Sequence, residues 1–303
     1  NTTIAMIGLG IGFVNGTLLF PNFLTSEELG LTRLMIQLTM IFTQISTLGL
    51  GNPTIRFFPL YRNDRLNNNK FLPLILILSS AGLIIALGIL LLSKPILTSY
   101  YYEKSRLIVD FFLFLIPLGI FYHFFQILFA WSRANLLIST PSAIWEIALR
   151  FLQLIVIVVF GLGEISFDLF VFLFVSTYLI VLLILGLYLI KKNRLRIFPL
   201  LGDYKIRSTK YILKHALYSQ IGSLSNTLTL TFDAIMLAGL ISLSSVGIYT
   251  TGVYISSILT IGSKSLGKIV APISAKLFQS NSKEELEKLF KNSVNVSIIT
   301  ATV

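Results

Sequence analysis

The stretch "LILILSSAGLIIALGILLL", residues 74–92, runs for nineteen residues without a charge. At a rise of 1.5 Å per residue a helix of that length covers close to the roughly 30 Å of a bilayer's hydrocarbon core. Leu, Ile and Ala dominate it, so it reads as a lipid-facing or scaffolding membrane helix. The whole chain has the same character. Of 303 residues, 55% are hydrophobic and only 12% are charged, where soluble domains carry about a quarter charged residues. Mean hydropathy is positive. These values predict an all-α integral membrane protein.

A spanning helix needs roughly 20 mainly apolar residues. That rule predicts eight spans, at 3–24, 31–52, 72–93, 107–131, 141–162, 168–190, 216–241 and 246–272, with a partial span from 289. The chain begins at Asn1 inside one apolar segment and stops at Val303 inside another. It is therefore read as a fragment of a longer chain. No loop is long enough to hold a soluble domain. With no cysteine, disulfides and thiolate metal sites are excluded, and no cofactor or metal is expected.

The net charge of +11 sits mainly in alternate loops. Arg56, Arg62, Arg65 and Lys70 follow the second span, and Arg133 the fourth. "KKNRLRIFPLLGDYKIRSTKYILKH" (191–215) follows the sixth, and Lys276, Lys283, Lys288 and Lys291 the eighth. The other loops hold only Lys94, Lys104 and Arg106 beside four glutamates. The positive-inside rule makes the basic loops cytoplasmic and the partner a lipid bilayer, not nucleic acid. Tyr100, Tyr101 and Tyr102 then fit an aromatic belt at the outer interface.

Two segments resemble each other. "LTSEELGLTRLMIQ" begins at residue 24 and "LISLSSVGIYTTGV" at residue 240. Each carries a short outer loop, a glycine (Gly30, Gly247), a polar-flecked span, a proline (Pro53, Pro272) and a basic inner loop. Glycine to proline is 23 residues in one and 25 in the other. The match predicts a parallel six-span repeat: a six-helix bundle over 1–190, a basic cytoplasmic linker over 191–215, and the truncated start of a second bundle over 216–303.

Polar side chains should face a bundle interior or a water-filled cavity. In the seventh span Ser219, Ser223, Asn226 and Asp233 fall at offsets 0, 4, 7 and 14, on one helical face. Arg33, Gln37, Gln44, Thr47 and Gly51 share a face of the second span. Tyr249, Ser256, Thr260 and Lys264 share one of the eighth. Gly8, Gly12 and Asn15 form a small-residue stripe of the helix-contact kind. Glu146 and Arg150 are spaced i,i+4 and read as a structural ion pair, with Gln153 beside them. His123 reads as a packed histidine and His215 as an interfacial one. A charge such as Asp233, about 12 Å into its helix, costs on the order of 3 kcal/mol in the membrane. The one-sided polar stripes suggest a central hydrated pathway, and around it Arg33, Arg56, Arg150, Lys264 and Lys268 outnumber Asp110, Glu146 and Asp233, which favours an anionic substrate. Gly49, Gly51 and Pro53 end the second span, Gly267 and Pro272 the eighth, and Pro117 interrupts the fourth. For Pro53 and Pro272 the sequence leaves termination and gating both open.

The stretches "ELGLTRLMIQLTMIFTQISTLGLGNPTIRFFP" and "FDAIMLAGLISLSSVGIYTTGVYI" resemble the bacterial polysaccharide flippases. These are the O-antigen and capsule repeat-unit flippases of the multidrug/oligosaccharidyl-lipid/polysaccharide exporter superfamily. The resemblance implies two six-helix bundles around a central cavity, alternating access and no enzymatic step. It implies a polyprenyl-pyrophosphate-linked oligosaccharide moved between leaflets of the cell inner membrane, and contact with other polysaccharide-assembly proteins. It assigns Arg33, Arg56 and Lys264 to the pyrophosphate. The substrate pathway is expected to include Arg33, Gln37, Gln44, Arg56, Asn226, Asp233, Ser256, Thr260 and Lys264, with Asp233 coupling ions. The alternative is a multidrug-type exporter of the same superfamily, which would want a lumen dominated by acids. A membrane glycan polymerase or ligase would want a large outer loop with catalytic side chains, and the loops here are short.

Overall fold

Thr25 starts the second span, and it shows how the helix limits are set. Its hydroxyl accepts from Glu28 N (3.3 Å), and the Glu28 carboxylate accepts from Thr25 N (2.8 Å). This capping box satisfies two of the orphan donors at a helix start. The computed structural model describes residues 2–62, 71–195, 206–256, 274 and 283–302. Among these there is no strand.

The first span is α1 (Thr2–Phe13), a π-helical turn (Val14–Leu19) and α2 (Phe20–Phe23). The second is α3 (Ser26–Ser46) followed by α4 (Gly51–Arg62). Then come α5 (Phe71–Tyr102), the short α6 (Arg106–Asp110), and α7 (Leu115–Ala134) after a 3₁₀ turn. The fifth span is α8 (Ser139–Ala143), a second π turn (Ile144–Ala148) and α9 (Leu149–Gly161). The sixth is α10 (Phe167–Lys191), capped by the Ser166 hydroxyl. α11 covers Ile206–Leu240, α12 is helical over 243–256, and α13 covers Lys283–Thr302.

Five stretches are long and apolar enough to cross a bilayer: Met6–Phe23, Phe71–Tyr102, Phe112–Ala134, Ser139–Gly161 and Phe167–Lys191. α3 and α4, bent by 43°, make a sixth if the pair is one span. The chain is thus an all-α, multi-span membrane bundle. The expected seventh span is a continuous helix of 35 residues. It falls outside the apolar set because Ser219, Gln220, Ser223, Asn226 and Asp233 dilute its hydropathy. It also begins before residue 216, so the last part of the basic 191–215 segment is helical, with Ile212 buried. Most of the eighth expected span lies outside the described residues.

Two compact units are present, residues 1–248 and 249–303. In the first, α3 lies at the centre and packs along α5, α7 and α11, while α10 packs on α7 and α9. Glycines admit the close approaches. A Cβ on Gly82 of α5 would meet Ser46 O, and one on Gly119 of α7 would lie 2.6 Å from the Phe42 ring. The Phe20 ring stands edge-on to Phe170 and Phe174, 6.3 Å from each, a favoured aromatic geometry. On α5, Ile84 (70% exposed) and Leu92 (80%) turn outward, the face expected to meet lipid. In the second unit, Glu287 and Lys291 of α13 pair at 2.9 Å.

Three sequence expectations change here. α5 continues past Lys94 and Pro95 to Tyr102. Pro117 does not interrupt the fourth span. It lies in the first turn of α7, where the missing N–H would have no helical partner anyway. Of the three tyrosines, only Tyr100 and Tyr102 are exposed. Tyr101 is buried, and its hydroxyl donates to Ile235 O on α11 (3.4 Å).

Candidate substrate pathway

The polar stripes of the first and fifth spans face each other. A Cβ on Gly8 would lie 2.6 Å from Glu146 O, and one on Gly12 would lie 2.7 Å from Arg150 Nη1. At Gly8 the neighbour is backbone, so glycine is needed for the approach, while at Gly12 it is the end of the Arg150 side chain. Arg150 Nη2 pairs with Glu146 Oε2 at 2.9 Å, and Nη1 donates to Gly8 O. Asn15 Nδ2 donates to Arg150 O (2.7 Å). Each span widens into a π turn at this contact. Such turns concentrate where a helix must reposition polar groups.

Arg33 is buried, at 8% exposure. Its guanidinium lies over the Phe20 ring, 5.4 Å from the centroid, and Nη2 makes a long 3.4 Å contact to Gly16 O in the first π turn. Stacking on an aromatic face suits the weakly hydrated guanidinium. Gln37, one turn further along α3, is partly buried. Its Oε1 is enclosed and finds no hydrogen-bond donor among the described residues.

The second span breaks between Ser46 and Gly51; of the expected residues Gly49 takes part, joined by Leu48. Leu48 (φ 49°) and Gly49 (φ 68°) adopt left-handed backbone. That conformation is strained for Leu and natural for Gly. A Cβ on Gly49 would also run into Ala216 O of α11. Pro53 ends nothing; it sits in the first turn of α4, where proline is tolerated.

This break opens a polar slot of about 280 Å³ between α3, α4, α7 and α11. From α3, Thr43, Gln44 and Thr47 line it. Gln44 Nε2 donates to Ser223 Oγ (2.7 Å) and Gln220 Oε1 (3.1 Å), and Gln220 Nε2 returns a bond to Gln44 O (2.6 Å). Asn52 of α4 donates to Ser219 Oγ (2.9 Å). α7 adds Tyr122, Gln126 and Arg133. Thr43 Oγ1 is buried and has no hydrogen-bond partner among the described residues. Beneath the slot, His123 is fully buried, as a packed histidine should be, with Nδ1 2.7 Å from Ser46 Oγ.

Ser219, Ser223, Asn226 and Asp233 fall within an arc of about 80° at 100° per residue. The structure divides that arc. Ser219 and Ser223 turn to α3 and α4. Asn226 and Asp233 are exposed, flanking the buried row of Thr227, Thr231, Ala234 and Ala238. Arg56 is exposed, with its guanidinium 5.9 Å from the Phe57 ring. In the second unit Ser256 is exposed and its hydroxyl donates to Gly252 O (2.9 Å). Thr260 and Lys264 lie outside the described residues.

Sequence reading passes over Thr43, Asn52, Gln126 and Gln220, and places Arg133 in a cytoplasmic loop, whereas it lines the slot. One signal was available. Tyr122, Gln126 and Arg133 fall at offsets 0, 4 and 11, the same one-face spacing as the other stripes.

No curated protein and no solved structure matches the chain. A family model described as "Polysaccharide biosynthesis protein" matches residues 1–278. With that match spanning almost the whole of a multi-span helical bundle, the chain belongs to the polysaccharide biosynthesis protein family.

Proposed function

We propose that this protein flips a polyprenyl-pyrophosphate-linked oligosaccharide from the inner to the outer leaflet of the cytoplasmic membrane. The cycle is alternating access coupled to an ion gradient, and no bond of the substrate is made or broken. At the coarser level, the chain is a multi-pass membrane protein of a family that serves polysaccharide assembly by transport. The family match over residues 1–278 carries the reading.

The polar groups support it. Arg33, Gln37, Gln44, Arg56, Asn226 and Asp233 lie on α3, α4 and α11, the last with its polar arc running from the slot to an exposed flank. Placement of Ser256, Thr260 and Lys264 on the pathway rests on their sequence spacing. Asp233 is the proposed ion-coupling group: protonation, or a bound cation, would lower the cost of its charge in one conformation and so bias the cycle. The basic loops face the cytoplasm in this reading, and the two-bundle division at 191–215 is part of it. A multidrug exporter would favour acids facing its lumen. The slot has one cation, Arg133, and no carboxylate among its described lining residues.

The test is direct. Full-length protein in proteoliposomes should move a fluorescent undecaprenyl-pyrophosphate glycan across the bilayer under a proton or sodium gradient. Absence of movement under both gradients, with the protein folded, would overturn the proposal.

A further inference from the structure

We infer that the slot at the Leu48–Gly51 break is a seat for one sugar unit of the transported glycan. This inference rests on the flippase reading and names a subsite within it. Four observations carry it.

The first is size. About 280 Å³ lies at the lower edge of the roughly 300–1,000 Å³ typical of small-molecule sites. It suits a ring or two, and not a long oligosaccharide.

The second is lining chemistry. Sugar hydroxyls both donate and accept, and so do side-chain amides and hydroxyls. Gln44, Asn52 and Gln126 supply three amides, and Thr43, Ser219 and Ser223 supply hydroxyls. A cationic drug would find no carboxylate among these residues.

The third is an unmet group. Thr43 is only 4% exposed, lines the slot, and its hydroxyl has no hydrogen-bond partner among the described residues. A buried polar atom without a partner is destabilising, and a ligand hydroxyl there would satisfy it.

The fourth is polarity along the slot. Tyr122 and Arg133 are eleven positions apart on α7, about 16 Å of helix rise. Arg133 is exposed and basic, while Tyr122 is part-buried among aromatic rings. The sugar therefore sits at the Tyr122–Gln126 end, and the phosphate-bearing end of the lipid lies toward Arg133.

The 303 residues contain no cysteine, so a single introduced thiol is their only one. Full-length Thr43→Cys and Ser223→Cys proteins, with Ser99→Cys at the far end of the bundle as control, are reacted with N-ethylmaleimide in proteoliposomes. A short-chain polyprenyl pyrophosphate carrying one N-acetylhexosamine should slow labelling of Thr43→Cys and Ser223→Cys about fivefold, the scale of one or two hydrogen bonds, and leave Ser99→Cys unchanged. The same lipid without sugar should protect neither. Gln126→Leu should weaken protection at Ser223→Cys while the protein stays folded. Equal protection by the bare lipid, or none by a glycan lipid that the same vesicles translocate, overturns the sugar seat and leaves the flippase reading standing. If the vesicles translocate no glycan lipid, the flippase reading falls and the seat falls with it.

Discussion

Gly30 of α3 and Gly247 of α12 occupy one helix crossing, and the contact is reciprocal. A Cβ on Gly30 would run into Leu243 O, and a Cβ on Gly247 would lie 2.5 Å from Ser26 O. Each glycine thus faces the carbonyl of the residue four before the other. The helix starts correspond as well. Thr25 caps α3 through Glu28 N, and the Ser242 hydroxyl accepts from Ser245 N (3.2 Å), each cap five residues before its glycine. Ser26 Oγ also donates to Ser244 Oγ (3.1 Å) across the crossing.

Substituting either glycine by alanine must push two backbones apart. Gly30→Ala and Gly247→Ala should each destabilise the folded protein by about 1–3 kcal/mol, the usual penalty of overpacking. Because one crossing absorbs both methyls, the double variant should lose clearly less than the two singles together. Thermal unfolding in detergent measures all three. Strict additivity would mean that the two positions do not share a crossing.

Gly49 offers a sharper contrast, because a neutral control lies two residues away. Gly49→Ala combines a positive φ with a collision against Ala216 O and should destabilise by about 1–3 kcal/mol. Gly51 heads α4, and a methyl group added there would have no neighbour within 4 Å. Gly51→Ala should be neutral or stabilise by up to about 1 kcal/mol, since alanine orders more readily in a helix. Equal melting temperatures for the two variants would contradict the backbone described for the break.

These elements show how far sequence reaches. The uncharged run at 74–92 is a helix because its length and composition leave little alternative in a membrane, and α5 is there. Gly49 flags the break of the second span, yet it shares that break with Leu48. A positive φ at a leucine leaves no trace in composition. Pro53 and Pro117 escape a reading by residue type, because proline's effect depends on whether its N–H would have been bonded. That requires the helix start, which hydropathy blurs. Spacing on α11 recovers the polar arc, while its division into a slot side and an exposed side needs the position of α3. Gln44 and Gln220 meet across 176 residues, and no local pattern announces such a pair.

Glu146 and Arg150 test a different balance. Removing one partner leaves a charge in a low-dielectric contact between spans, which costs about 3–5 kcal/mol when fully buried. The two side chains are 31% and 27% exposed, so the loss should fall at or below the low end of that range. Arg150→Met and Glu146→Gln should each lower the melting temperature. The double variant should recover much of it, since replacing both partners by neutral groups is often tolerated. Transport by the double variant should persist if the pair only joins the first and fifth spans. A stable double variant that no longer transports would move the pair onto the pathway.

Asp233 stands on the exposed flank of α11, and Asn keeps its size and hydrogen-bonding capacity while removing its charge. Asp233→Asn should leave the protein folded, which its melting temperature in detergent checks. Gradient-driven glycan translocation should fall by about tenfold or more, a barrier increase of roughly 1.4 kcal/mol or above. Downhill exchange without a gradient should fall much less, because that mode does not need the coupling charge. A proteoliposome assay run both ways separates the two effects. If Asp233→Asn drives transport at the parental rate under the gradient, Asp233 couples nothing. If it loses both modes together while remaining folded, Asp233 acts on the conformational change itself, and the coupling role passes to another group.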